Sequence, residues 1–185
     1  MVAELERAHY VVQDNDLVNT PYMLSLNEKR LMLAVLSKID PMNLPKKGET
    51  FEAVITLAEW RELYDTQSKA LYAHLYAACE RLADRPALRI PTGGARPAVA
   101  PWVSYAEPDP QERVIRVTLV YELLLYLKGF VDQFTQYDLL NVRGLKTFHS
   151  IRLYELLCQY KTIGKRRFTV EGFRQVMDPS GKYTR

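Results

Sequence analysis

The sequence predicts an α+β fold of the winged-helix type, a helix-turn-helix with a β-hairpin wing. Two observations carry this. A short helical stripe, the turn Asp65-Thr66-Gln67 and a longer helical stripe follow one another between Thr56 and Pro86, which is the helix-turn-helix plan. Runs of β-prone residues then extend from Ala87 to Val120, interrupted by a Gly/Pro loop, as a wing requires. The chain has 185 residues, 48% hydrophobic and 25% charged, enough for a real core without staples.

Met1–Asp16 is charged and poor in core residues. It is expected to be a flexible N-terminus over residues 1–16, apart from the run Tyr10-Val11-Val12. Ser25-Leu26-Asn27-Glu28 has the form of a capping box, in which Ser and Glu satisfy free amides at a helix start. Met32, Val35, Leu36 and Ile39 give the helical stripe that follows, and Pro41 ends it. Met42–Glu49 reads as a loop. Thr50–Ile55 alternates as a strand with Phe51, Ala53 and Ile55 on one face. Thr56-Leu57-Ala58-Glu59 is a second capping box and opens a helix carrying Trp60, Leu63 and Tyr64. Ser68 is the expected cap of the next helix, whose inward stripe is Leu71, Leu75, Ala78, Cys79 and Leu82.

The wing region is expected to hold a short strand at Ala87–Ile90, a loop at Pro91–Pro97 with Arg96, and two strands, Val99–Ala106 and Arg113–Val120. Tyr121–Leu127 is a short helix ended by Gly129. Val142–Phe148 connects to a helix at Ser150–Tyr160. There Ile151, Tyr154, Leu157 and Cys158 form an apolar stripe, Leu153, Leu156 and Tyr160 widen it, and only Arg152, Glu155 and Gln159 make a polar edge. A helix so apolar is expected to be buried on most sides. Lys161–Arg167 is a basic loop, and Thr169 caps a last helix with Val170, Phe173, Val176 and Met177 inward.

Charge changes along the chain. Met1–Gly144 holds 16 Lys+Arg against 19 Asp+Glu, net −3, and Leu145–Arg185 holds 9 against 3, net +6. The expected organisation is a first domain at 17–144 and a basic second unit at 145–185. Met1–Gln13 contains Glu4, Glu6 and Arg7 and no apolar h-region. No apolar run approaches the roughly 20 residues that cross a bilayer. A cytoplasmic protein without membrane contact is expected, with Cys79 and Cys158 as reduced core residues.

Catalysis is not expected. There is no phosphate-binding glycine loop, since Lys46-Lys47-Gly48-Glu49 lacks the partner glycine and hydroxyl. His9, His74 and His149 form no HxH or HExxH pair. No catalytic residue, metal or cofactor is assigned.

The stretches Phe134-Thr135-Gln136-Tyr137-Asp138-Leu139-Leu140 and Arg152-Leu153-Tyr154-Glu155-Leu156-Leu157-Cys158-Gln159-Tyr160 resemble the centre of the plasmid replication initiators that bind iterons, the short DNA repeats of an origin. The run from Val11 to Ile39 resembles the opening of the same family, and Ile163-Gly164-Lys165-Arg166-Arg167-Phe168 resembles a later motif. The resemblance implies two tandem winged-helix domains, the first present and the second incomplete. The recognition helix of that second domain follows the tail corresponding to Asp178–Arg185 in the family, so direct base readout is expected to be weak in this chain. It further implies binding of double-stranded origin repeats, engagement of host replication initiator and helicase proteins, and a self-repressing homodimer.

Three residue sets carry these expectations. Arg152, Lys161, Lys165, Arg166 and Arg167 suit DNA phosphates, although a solvated loop has the same composition. Gln67, Ser68, Lys69 and Tyr72 sit where a recognition helix meets DNA, although in a net acidic domain. Trp102, Val103 and Tyr105, opposite Ile115 and Val117 on a sheet apolar on both faces, suit a dimer interface. The competing functions are a dimeric winged-helix transcriptional regulator without a replication role, and a protein–protein module that never touches DNA.

Overall fold

The computed structural model describes residues 10–40, 43–90, 96–128 and 134–181. Met1–His9, Pro41, Met42, Pro91–Ala95, Gly129–Gln133 and residues 182–185 lie outside the described residues, with whatever the sequence suggests for them.

Strand β1, Tyr10–Asp14, leads into helix α1, Asn15–Asn19. The expected flexible segment is therefore ordered from Tyr10 onward. The reason lies far along the chain: β1 pairs antiparallel with a strand at Phe134–Asp138, with Val11 opposite Tyr137. Helix α2, Leu26–Leu36, starts at the complete Ser25/Glu28 capping box. Strand β2, Thr50–Thr56, is followed by α3, Leu57–Tyr64. The Thr56 hydroxyl accepts from the Glu59 amide at 3.0 Å, while the Glu59 carboxylate pairs with Lys38 at 2.6 Å.

Asp65 ends α3 in the left-handed region, at φ 48°. Helix α4, Leu71–Ala83, then starts later than its composition suggests. Ala70 is the N-cap and makes no side-chain capping bond, so Ser68 is not the cap. All five predicted inward residues of α4 are buried. The wing also differs from expectation. Instead of one strand at Val99–Ala106 there are two, β4 at Ala98–Ala100 and β5 at Tyr105–Asp109. Pro101, which has no amide hydrogen to offer a ladder, stands at the break. Strand β4 pairs with β3, Leu88–Ile90, to make a small hairpin. Strand β5 pairs with β6, Val114–Val120, and the larger sheet runs β2-β6-β5. Its β5–β6 turn is held by the Asp109 carboxylate, which accepts from the amides of Gln111 and Glu112 at 3.0 Å each.

Helix α5, Tyr121–Lys128, precedes β7, Phe134–Asp138, and a 3-10 turn at Leu139–Val142. Helix α6, Phe148–Gln159, starts at a Thr147/Ser150 capping box, two residues ahead of the apolar run that predicts it. Helix α7, Val170–Met177, starts at the Thr169 cap as expected.

One core joins sheet residues Ala53, Ile55, Ile115, Val117 and Leu119 to the buried faces of α2 and α4. Phe148 and Ile151 of α6 belong to this same core. Helix α6 is therefore part of the first unit, and the packing runs straight through the change of charge at Leu145. A smaller cluster of Val18, Leu156 and Met177 seats α7 on α1 and α6. Val170, expected inward, is exposed.

Candidate nucleic-acid interface

Helix α6 keeps Ile151 and Leu156 inside, as its apolar stripe predicts, but departs from that stripe elsewhere. Two of its three polar-edge residues are inside: Arg152 and Glu155 are 0% exposed. Leu157, in the predicted apolar stripe, is 63% exposed, and Leu153 is exposed as well. The inward charges survive burial because they are paired and hydrogen-bonded. One Glu155 oxygen accepts from Lys29 Nζ at 2.7 Å, from Gln13 Nε2 at 2.8 Å and from the Tyr137 hydroxyl at 2.8 Å. The other accepts from Arg152 at 3.0 Å. Arg152 also donates to the carbonyls of Val18 (2.8 Å) and Thr20 (3.3 Å) and stacks on the Tyr22 ring, 4.4 Å from its centroid. Burial raises the Glu155 pKa, but Lys29 and Arg152 outweigh it and hold the carboxyl at about 2. Arg152 is thus a core residue tying α6 to α1 and the chain that follows it. It is not available to phosphate, contrary to the expectation from its charge.

A second anchor fixes α4. The Glu28 carboxylate, fully buried, caps α2 by accepting from the Ser25 amide at 2.6 Å and pairs with Arg81 (3.1 Å) and Arg85 (2.6 Å). Burial raises its pKa, and the Ser25 amide and Arg85 more than reverse that, leaving it below the usual carboxylate range.

The predicted set at α4 is not presented as a recognition helix would present it. Gln67, Ser68 and Lys69 lie in the approach turn, before the helix begins. Gln67 and Lys69 are exposed. Tyr72 packs against the core, and its hydroxyl is buried without a hydrogen-bond partner.

The basic loop after α6 divides by role. Lys161, Lys165 and Arg167 are exposed. Arg166 is half-buried: it donates to Gln159 Oε1 at 2.6 Å and Asn19 Oδ1 at 2.9 Å. Its guanidinium lies 4.7 Å from the Tyr160 ring centroid and 4.1 Å from that of Phe168. Tyr160, Ile163, Lys165, Arg166 and Arg167 line an open groove of about 510 Å³. Cationic side chains beside an aromatic ring in an open groove can hold a polyanion.

The predicted interface set is mostly interior. Trp102 (4% exposed) and Val103 lie outside any strand and in the core, and Ile115 and Val117 are core residues of β6. Tyr105 alone of the five is exposed, at 56%, and it stands opposite Thr118 rather than Ile115 or Val117. Neither cysteine is in a disulfide; Cys79 is buried and Cys158 half-buried, and burial pushes the Cys79 thiol up to about 12 and raises Cys158. Among the described residues no group of three His, Cys, Asp or Glu side chains is placed to hold a metal ion. No helix among them is long and apolar enough to cross a membrane.

Gln13 and Tyr137 are the residues that sequence reasoning missed. The burial in β7 alternates, Thr135 and Tyr137 inward and Phe134 and Gln136 outward, but Phe-Thr-Gln-Tyr does not alternate apolar and polar, so periodicity carried no signal for it.

A helix-turn-helix, a hairpin wing and an exposed basic loop define a winged-helix protein. The chain belongs to the initiator replication protein family, with residues 10–158 matching the family described as "Initiator Replication protein, WH1". That span takes in α6, in agreement with the shared core. The crystal structure of Pi initiator protein in complex with iteron DNA has the same fold, with a TM-score of 0.73 at 16% identity, over 92% of this chain and 73% of that one. An Escherichia coli protein described as an uncharacterized 27.6 kDa protein is 26% identical over 164 residues, 83% of this chain and 68% of its own length.

Proposed function

We propose that the chain serves plasmid replication initiation by binding double-stranded DNA at origin repeats, with no catalytic step of its own. The observation that carries this is the exposed pair Lys165 and Arg167 lining an open groove, with Lys161 exposed in the same loop, in a member of the initiator replication family. Lys69 and Gln67, exposed ahead of α4, supply a second backbone contact. Positioning on phosphates is what such residues do, while sequence is read elsewhere, by base edges.

The test is binding of the chain to an iteron-bearing duplex and a scrambled one across a salt series. Affinity for both is expected to fall steeply with salt, by about 0.9 in the log–log slope per phosphate neutralised. No measurable binding to either duplex at low salt would sink the reading and leave a protein–protein module. DNA binding without support of an origin plasmid would favour a transcriptional regulator.

A dimer that represses its own gene accompanies this proposal. Its support is the exposed Tyr105 on β5, a strand that among the described residues pairs only with β6, since such an edge can accept another strand. Sedimentation equilibrium checks it: Tyr105→Lys is expected to shift the protein toward monomer. Engagement of host initiator and helicase proteins belongs to the same proposal by family resemblance.

A further inference from the structure

We propose that Arg166 is a positioning residue, not a phosphate ligand: its clamp between Tyr160 and Phe168 shapes the loop so that Lys165 and Arg167 face the polyanion. The proposal rests on the DNA-binding reading above and adds a division of labour within its basic cluster. A guanidinium can stack between two rings while forking to two oxygens, which an ammonium cannot do. Arg166 uses both capacities. Its fork ends on Gln159 of α6 and Asn19 of α1, and its guanidinium lies over the rings of Tyr160 before the loop and Phe168 after it. One side chain therefore joins the two ends of the loop to each other and to the two helices on which α7 is seated. Phe168 is itself set against Phe173 of α7, with ring centroids 5.5 Å apart. Lys165 and Arg167, its two sequence neighbours, are exposed.

Within the clamp, Gly164 adopts φ 77° and its amide donates to the Tyr160 carbonyl at 2.8 Å. That amide reports the loop's order without any DNA. Arg166→Lys keeps the charge and removes the fork and the stacking. If Arg166 is the clamp, hydrogen exchange of the Gly164 amide in the DNA-free variant quickens about fivefold or more, the factor that loss of one ordinary interaction gives. Affinity for a mixed-sequence duplex then falls although no charge is lost. Lys165→Ala and Arg167→Ala leave that exchange rate unchanged and each lowers the salt slope by about 0.9. Unchanged exchange in Arg166→Lys, with affinity retained, overturns the proposal and makes Arg166 an ordinary cation. If instead exchange quickens while the Lys165 and Arg167 variants leave the slope unaltered, the clamp stands and the phosphate reading of this loop fails.

Discussion

Upstream of Tyr160, helix α6 turns Arg152 and Glu155 inward; downstream, the loop to Phe168 turns Lys161, Lys165 and Arg167 outward. Both stretches carry cations, and only the first also carries an acid. Glu155 gives Arg152 a partner on its own helix and pairs across to Lys29 of α2. The loop has no acidic residue between Tyr160 and Phe168, and its one constrained cation, Arg166, is held by neutral oxygens and rings. Charge of one sign with no counter-charge stays in water, because desolvation without a partner costs several kcal/mol per ion. A basic stretch is thus a candidate surface when its acids are missing, and a candidate core when they are present at helical spacing.

The contrast is broken most sharply at Glu155. Glu155→Ala leaves Lys29 and Arg152 buried without their carboxylate, and removal of one partner from a buried pair costs about 3–5 kcal/mol. For a chain of this size the melting temperature should fall by roughly 6–20 °C. A shift below about 2 °C would mean that the two cations escape to water with little loss, and that the network is not holding α6 in place.

Acid probes the same group without mutation. The Glu155 carboxyl titrates at about 2 in the folded protein, against 4.5 ordinarily. The unfolded chain therefore takes up its proton first as pH falls. The contribution is present in full above about pH 4.5 and disappears between there and about 2, and it amounts to roughly 3 kcal/mol. Denaturant midpoints through that window should fall in the parent and fall less in Glu155→Ala. Parallel curves for the two proteins would assign the acid loss to other carboxylates.

Glu28 comes next and should cost less, although it too is fully buried. Its partners Arg81 and Arg85 keep 50% and 31% of their side-chain surface, so they can rehydrate once it is gone. Glu28→Ala then costs mainly a helix cap, about 1–2 kcal/mol. A loss as large as that of Glu155→Ala would show that Arg81 and Arg85 are pinned by more than this carboxylate.

What the sequence shows clearly is what neighbours determine. Ser25, Thr56 and Thr169 are caps as expected, since a cap needs only a hydroxyl and the amides two or three residues on. The inward stripe of α4 and the strand β2 follow from periodicity alone. The misreadings need distant partners. Gln13 and Glu155 meet across 142 positions, and nothing local marks either as interior. Strand β1 looks like an isolated apolar run until β7 is set beside it. Periodicity gives the apolar face of α6 but cannot show that a buried acid turns the helix, and so Leu157 is predicted inside and found outside. At the basic loop the composition is legible, whereas the separate role of Arg166 depends on rings at both ends of the loop.

The smallest expected effect closes the comparison on α6 itself. Leu157 is 63% exposed, so Leu157→Ala removes little buried area, and alanine is at least as good a helix former as leucine. Stability should stay within about 0.5 kcal/mol of the parent, against several for Glu155→Ala two positions away. That inversion, a glutamate more costly to remove than a leucine on the same helix, is the opposite of what the apolar stripe predicts. A loss above about 2 kcal/mol for Leu157→Ala would mean that this face is covered in solution. Repeating the melt across protein concentrations then identifies the cover: a melting temperature that rises with concentration belongs to association, and a constant one to the chain's own packing.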